Sequence, residues 1–200
     1  MRRTRRLGNA TALLAAAVML VTGARTGAAP DTATLEEAAR LVNAGSLTGG
    51  ICAVVETDDA SLPLALAKQG SFLVHCLQTD AGKAEALRQE IRDRGLYGTV
   101  SVATFEGSRL PYTDNLVNLL VVDAYPALAE TDLSLAELVR SLAPLGTVTI
   151  GSSGESGGAW REDLENDLRA AGLTDVAVVE GNGTWVQARK PWPEEIDEWE

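Results

Sequence analysis

Acidic side chains follow several apolar, strand-like runs of this sequence, and they are the groups best suited to chemistry. Glu56 ends the run GICAVVE with Asp58 just beyond it, Glu106 follows VSVATF, and Asp123 ends LVNLLVVD. The carboxyl ends of parallel strands meet at one edge of a sheet, where ligands bind in open α/β proteins. Asp123 is the best placed of these acids for general-base work, although it could equally be a turn residue before Tyr125.

Other groups suited to catalysis or metal binding are few. The single histidine, His75, shares a strand-like run with Cys76, and a lone histidine there predicts packing and not a ligand. Cys52 and Cys76 are offset along neighbouring runs, which predicts buried free thiols in preference to a disulfide. The sequence contains no metal-ligand spacing, nucleophile elbow or GxGxxG fingerprint. It therefore predicts no metal site and disfavours hydrolase and NAD-dependent activities.

Strand-like and helix-like segments alternate along the chain. Strands are predicted at residues 50–56, 71–78, 99–105, 116–123 and 146–150, and helices at residues 35–43, 62–68, 83–94, 133–142 and 160–171. Thr34 is the predicted N-cap of the first helix. Residues 175–179 and 184–189 form a predicted hairpin around a glycine-rich turn. This order predicts a Rossmann-like α/β fold, with a doubly wound, mostly parallel sheet and an antiparallel C-terminal edge hairpin.

Two segments, LVHCLQTDAGKAEALR and VSVATFEGSRLPYTDNLVNLLVV, together with the order of elements, carry a resemblance to a known family. Over about residues 35–190 the chain resembles class I S-adenosylmethionine (SAM)-dependent methyltransferases. The stretch beginning GLYGTV and the ending KPWPEEIDEW resemble exported, planctomycete-type proteins in which such a domain precedes a pyrroloquinoline-quinone (PQQ)-type β-propeller. The resemblance implies SAM as cofactor, an unidentified small molecule as methyl acceptor, and a β-propeller domain or protein as partner.

The resemblance places three cofactor-binding positions in the loop after the first strand. The family has glycines there at alternate positions, which let the backbone approach SAM closely, whereas this chain has Glu56, Asp58 and Ala60. Each residue adds a Cβ, and two add negative charge near the SAM carboxylate, at a cost on the order of 1 kcal/mol in water and several when partly buried. The alternative is an ordinary acidic strand-to-helix turn. These residues predict degenerate or lost SAM binding.

The resemblance assigns two further cofactor-binding positions. Gln78 stands where the family has an acidic residue for the ribose hydroxyls, and its neutral amide would bind them more weakly. Asp80 could substitute for that acid, although capping the helix that begins at Lys83 is the preferred interpretation. Glu106 matches the acidic residue that meets the adenine amine, with a solvated loop glutamate as the alternative.

The N-terminal residues have the layout of a secretory signal peptide. Four arginines within residues 2–6 precede an apolar run at residues 10–21 and a cleavage site near Ala28 or Ala29. The run is short for a membrane span, although an uncleaved anchor is the alternative. The predicted organisation is a signal peptide at residues 1–29, a methyltransferase-like domain at 30–190, and an acidic Trp/Pro tail at 191–200 that could link to a propeller. We expect a periplasmic or extracellular protein without a stable membrane span after cleavage.

The chain is strongly acidic. Its formal net charge is −11, and removal of residues 1–29, which hold five arginines and no acid, takes it to −16. Such a chain is repelled by phosphate backbones, so the charge disfavours nucleic acid as a direct partner, and solubility is the preferred explanation of the charge.

Two functions from different classes are consistent with these patterns. The first is a SAM-dependent methyltransferase, favoured by the fold and by Glu106. The altered first loop, Gln78 and export oppose this function. The second is a non-catalytic binding module of an exported quinoprotein-like system, favoured by the tail with Trp192 and Trp199, for which a disordered terminus is the alternative. Whether the chain is an enzyme is therefore undecided by the sequence.

Overall fold

A computed structural model describes residues 30–123, 132–153 and 160–193 of the protein. The predicted signal peptide and residues 194–200 of the predicted tail lie outside the described residues. The elements in chain order are α1 (Thr32–Ala44), β1 (Gly49–Val55), α2 (Ser61–Leu66), β2 (Ser71–Gln78), α3 (Ala81–Asp93), β3 (Val100–Thr104), β4 (Val117–Val122), α4 (Leu135–Ser141), β5 (Leu142–Ser153), α5 (Trp160–Ala170), β6 (Thr174–Glu180) and β7 (Gly183–Arg189).

The seven strands form one sheet in the order β3-β2-β1-β4-β5-β7-β6. Strands β1 to β5 pair in parallel, whereas β7 is antiparallel to both of its neighbours. The predicted fold class is thus confirmed, with one difference: the antiparallel strand lies between β5 and β6, and β6 forms the edge. Gly151 permits this close pairing, because a Cβ there would lie 2.2 Å from the carbonyl oxygen of Thr184 on β7.

Helices cover the two faces of the sheet unequally. Helices α1, α2 and α3 contribute to one apolar cluster, with Cys52 and Val54 of β1 pointing into it. Helices α4 and α5 contribute to the other, which receives Ala53 and Val55. Strand β4 is buried on both sides, as its continuous apolar run predicts. The connection from β3 to β4, residues 105–116, contains no helix and contributes Phe105 and Leu110 to the second cluster.

Two local predictions are corrected by the structure. The N-cap of α1 is Asp31 and not Thr34, because the Asp31 carboxylate accepts the Thr34 backbone N–H at 2.7 Å. Strand β5 is longer than the predicted 146–150, because Gly151 and Ser152 continue its ladder with β7. None of the helices in the three described ranges is long and apolar enough to cross a membrane.

The two cysteines are free and buried, as predicted. Cys76 lies opposite Val54 and Cys52 lies opposite Val74, so the two residues are staggered along β1 and β2. Burial raises the pKa of the Cys76 thiol to about 12, and it raises that of Cys52 further. Both side chains are therefore neutral packing groups and not nucleophiles.

A buried carboxylate ties the first helix to the C-terminal hairpin. Glu37 is 2% exposed and accepts hydrogen bonds from the Trp185 indole N–H, from the Asn182 backbone N–H at 2.9 Å and from Arg40 at 2.9 Å. Three donors satisfy this carboxylate, which is why it can be buried. The sequence analysis did not single out Glu37, because its partners are distant in sequence.

Candidate cofactor site

The expected ligand site lies where β1 and β4 run side by side. The connection after β1 leads to α2 on one face, and that after β4 leads towards α4 on the other, so the chain diverges at this edge. The backbone N–H of Asp123 bonds the carbonyl oxygen of Val55 at 3.1 Å, which holds the two strand ends together. The loop after β1 and Asp123 are therefore neighbours, as predicted.

Glu56 has the backbone conformation of a glycine. Its φ is +56°, in the left-handed region that side chains rarely adopt. Its carboxylate turns towards the end of β2 and accepts the Thr79 backbone N–H at 2.7 Å. The glutamate side chain thus bridges the loop after β1 and the loop after β2. The resemblance assigns the space between these loops to the cofactor.

The loop after β1, residues 56–60, is called the first loop. Hydrogen bonds within it and to Asp123 hold the rest of this loop in place. The buried Thr57 hydroxyl lies 3.0 Å from Asp123 Oδ2 and 3.1 Å from the Asp59 carbonyl oxygen, so its single proton serves one acceptor at a time. Asp59 accepts the Ser61 backbone N–H at 2.7 Å. Ala60 is fully buried in the first apolar cluster. The loop is consequently a packed element of the fold.

Gln78 is fully buried and supports the first loop through a hydrogen bond. Its amide nitrogen donates to the Thr57 carbonyl oxygen at 2.6 Å, and its amide oxygen is buried without a hydrogen-bond partner. A side chain in this position faces protein and not solvent. The residue assigned to the ribose hydroxyls therefore has a structural contact of its own.

Asp58 points outwards. Its side chain is 95% exposed and lies 3.6 Å from the Lys83 ammonium. This lysine comes from α3, and the sequence analysis had not paired it with the loop. An exposed pair of this kind contributes little to stability, so Asp58 constrains the loop least. Asp80 caps α3 by accepting the Lys83 backbone N–H at 2.7 Å, which confirms the preferred interpretation.

The space left at this edge is small. A cavity of about 120 Å³ is lined by Asp58, Asp59 and Asp123 together with three hydroxyl residues and one leucine: Thr34, Ser61, Ser152 and Leu62. Asp123 thus faces a cavity, as a general base must, but it shares that cavity with two other carboxylates. The described residues contain no cluster of histidine, cysteine and acidic side chains that could hold a metal ion.

Glu106 lies in a different environment. It is exposed and lines a cavity of about 740 Å³ formed by the connection from β3 to β4 and Arg140 of α4. Tyr112 of the same connection bonds His75 Nδ1 through its hydroxyl at 2.9 Å. Burial lowers the pKa of His75, so the imidazole is neutral at pH 7 and has a packing role, as predicted.

Several contacts of this region were missed by the sequence analysis. The left-handed conformation of Glu56, its bond to Thr79 and the Gln78–Thr57 bond all join residues of separate loops. The sequence carried a signal for the contact of Glu56. This glutamate stands where the family has a glycine, so its backbone needs another support. The burial of Gln78 had no comparable signal in the sequence.

The fold is shared with known structures. A protein of Methanococcus maripaludis assigned as a SAM-dependent methyltransferase is 20% identical, with 82% of this chain and 87% of that chain covered and a TM-score of 0.67. A SAM-dependent methyltransferase from Aquifex aeolicus is also 20% identical, covering 80% and 94% with a TM-score of 0.66. The [4+2]-cyclase SpnF is 17% identical, covering 84% and 85% with a TM-score of 0.64.

These likenesses are structural. No family profile and no curated protein matches the sequence. The chain has the Rossmann-like fold of class I SAM-dependent methyltransferases.

Proposed function

We propose that this protein is a methyltransferase-fold module that has lost SAM binding. The observation that carries the proposal is the first loop, in which protein side chains fill the space that the resemblance assigns to the cofactor. Glu56 bonds Thr79 across the gap, and Gln78 is tied to Thr57. SAM does not fit these residues.

Size supports the same conclusion. The cavity at the β1–β4 edge holds about 120 Å³, whereas small-molecule and cofactor sites occupy about 300–1,000 Å³. A ligand as large as SAM would have to displace Glu56 and break its bond to Thr79. The obstacle is therefore built from packed groups and not from one missing glycine.

Charge also opposes SAM binding. Asp58, Asp59 and Asp123 line the cavity, and the SAM carboxylate would be a fourth negative group there. A like-charge pair at about 4 Å costs about 1 kcal/mol in water and about 4 kcal/mol near a protein surface. In either environment this repulsion opposes binding of the carboxylate end of the cofactor.

A module without cofactor needs another role. We propose a non-catalytic interaction module of an exported quinoprotein-like system, with a PQQ-type β-propeller domain or protein as its partner. The predicted signal peptide at residues 1–29 and the Trp/Pro composition of residues 191–200 favour this role. The fold itself does not require methyl transfer, since one structural neighbour is named a [4+2]-cyclase.

A second candidate function is a SAM-dependent methyltransferase with a reshaped site. The observation that favours it is Glu106, which lies exposed beside a cavity of about 740 Å³. In that case Asp123 would be the general base. This candidate requires measurable affinity for SAM.

Calorimetry with SAM and with S-adenosylhomocysteine separates the two candidates. The expected result is no binding at millimolar ligand, because Glu56 and the acidic cavity exclude the cofactor. Micromolar binding of either compound would overturn the proposed loss.

A triple variant tests the cause. Glu56→Gly with Asp58→Gly and Ala60→Gly restores the family's glycines, and we expect it to gain SAM affinity of at least tenfold. Glu106→Gln in the same background is the control, because it should reduce the gained affinity if the adenine end is intact. Unchanged affinity in a folded triple variant would mean that this loop is not the obstacle.

A further inference from the structure

The sheet has two edge strands, β3 and β6, and they differ in how their outward backbone groups are used. At β3, the Val100 N–H donates to the Leu96 carbonyl oxygen at 3.0 Å, and the Val100 carbonyl oxygen accepts the Gly98 N–H at 3.4 Å. The Val102 carbonyl oxygen accepts Arg88 Nη2 at 3.2 Å. These bonds use groups that a further strand would need, and proteins commonly protect sheet edges by covering them. Another strand therefore cannot pair along the length of β3.

The direction of the backbone groups along β6 follows from a hydrogen bond at its end. The Gly181 N–H donates to the Gly183 carbonyl oxygen at 3.1 Å, so Gly181 faces β7. Backbone groups alternate in direction along an antiparallel strand, so Ala177 and Val179 face β7 as well. The outward direction is left to three residues: Val176, Val178 and Glu180.

The outward groups of β6 lack partners. In the part of the chain that the structure describes, no hydrogen bond satisfies the outward N–H and carbonyl groups of these three residues. Asp175 has a left-handed φ of +52°, and the pairing with β7 is irregular between Thr174 and Ala177, as at a β-bulge. We call the part that follows Asp175, residues 176–180, the open edge. An uncovered edge of this kind is a template for a strand from another chain.

We propose that two copies of this chain pair through their open edges in antiparallel fashion, with a two-fold axis at Val178. In this register Val178 lies opposite its counterpart and Val176 lies opposite Glu180 of the other copy, so every outward group finds a partner. These pairs form about six backbone hydrogen bonds, compared with about ten in a typical protein–protein interface. The contact closes at two copies, because each contributes the same surface. The seven-stranded sheet thereby continues across the dimer.

The side chains of the open edge are complementary in the same register. Ala177 lies opposite Val179 of the second copy, and the two Val178 side chains face each other, which are apolar pairs that stabilise neighbouring strands. Glu180 is the one charged residue of the open edge, and it lies opposite Val176. Like charges directly opposite each other destabilise a strand pair, and this register avoids them. The self-complementarity of the open edge favours a second copy as its partner.

Net charge opposes the dimer and gives it a salt dependence. Each chain carries a formal net charge of −11, so two copies repel each other at long range. Salt screens this repulsion over about 8 Å at physiological ionic strength. Dimerisation should therefore strengthen as salt is added, whereas a contact held by ion pairs would weaken. The inference is independent of whether SAM binds, because β6 lies four strands from β1 in the sheet.

Amide hydrogen exchange tests the register in the whole chain. At millimolar protein and about 0.15 M salt, we expect the amides of Val176, Val178 and Glu180 to exchange at least about tenfold more slowly than in dilute solution. The amides of Ala177 and Val179 are the internal control, because their bonds to β7 are present in the monomer as well. Sedimentation equilibrium over the same concentrations should show the change from monomer to dimer.

Two variants separate the open edge from the rest of the fold. Val178→Pro removes an outward N–H and keeps the bonds of Ala177 and Val179 to β7, and proline is tolerated at such edge positions. Val178→Lys places two ammonium groups opposite each other, and Val178 packs against neither apolar cluster of the described residues, so the monomer should stay folded. Both variants should be monomeric at concentrations at which the unaltered protein is a dimer. Thr104→Lys on β3 is the matched control and should remain dimeric, because Thr104 is an exposed residue of the other edge.

Three outcomes would overturn the proposal. One is a protein that stays monomeric at millimolar concentration. Another is a dimer in which exchange at Val176, Val178 and Glu180 does not depend on concentration, which would place the contact elsewhere. The last is a folded Val178→Lys variant that dimerises as tightly as the unaltered protein.

Discussion

The loop after β1, residues 56–60, and the loop after β3, residues 105–112, leave the same edge of the sheet. The first is closed by Glu56, Thr57 and Gln78, and its cavity holds about 120 Å³. The second keeps an exposed Glu106 beside about 740 Å³. The difference teaches that the two loops, which the resemblance assigns to opposite ends of one cofactor site, can change separately, because different strands position them.

The two loops also differ in the role of their acidic residues. Glu56 bonds the backbone of another loop, whereas Glu106 is exposed. Substitutions of the bonded residues should therefore lower stability, whereas substitution of the exposed Glu106 should leave stability nearly unchanged. Three predictions test this division.

The largest effect is expected from restoring an acid at the end of β2. The ionised glutamate of Gln78→Glu cannot donate to the Thr57 carbonyl oxygen, and it places a carboxylate in a fully buried position. We expect the free energy of unfolding to fall by at least about 3 kcal/mol at neutral pH. Urea titration measures it, with Glu106→Gln as a control expected to change by less than about 0.5 kcal/mol.

The pH dependence of that variant gives a second check. Burial disfavours the charged form, so the folded-state pKa of the new carboxyl lies above its unfolded value. The deficit should then shrink as the pH falls, because the neutral acid is tolerated. A loss of stability equal at acid and neutral pH would contradict the assigned burial.

A smaller effect with an informative sign is expected at Glu56. Glycine relieves the left-handed backbone at φ +56°, whereas alanine keeps that conformation, and both remove the bond to Thr79. Glu56→Gly should therefore be more stable than Glu56→Ala by about 1 kcal/mol. Thermal unfolding of the two variants measures the difference. Equal stability would show that the left-handed backbone carries no cost.

The smallest effect is expected where the second loop meets β2. Burial lowers the folded pKa of His75 below its unfolded value, so the unfolded state binds more protons in the range between them. Stability from this site is present above about pH 6.5 and lost as the pH falls. His75→Gln should flatten that part of the stability profile, and Tyr112→Phe should cost about 1 kcal/mol at neutral pH.

Much of the fold follows from the sequence because its signals are local. The run SFLVHCLQ predicts β2 with its observed bounds, and the turn at Gly181 and Asn182 predicts the hairpin. The interior position of β7 depends on pairing with the distant β5, which no local pattern encodes. For the site, residue types identified Glu56 and Gln78 as altered, but only the packed structure shows which groups replace the missing partners.

The contact between Glu37 and Trp185 has a kinetic consequence. The two residues are 148 positions apart, and β7, which carries the tryptophan, must enter between β5 and β6 before the sheet is complete. Contacts this remote in sequence slow folding, because a long loop must close before they form. The chain therefore cannot reach its native topology until β7 has been synthesised.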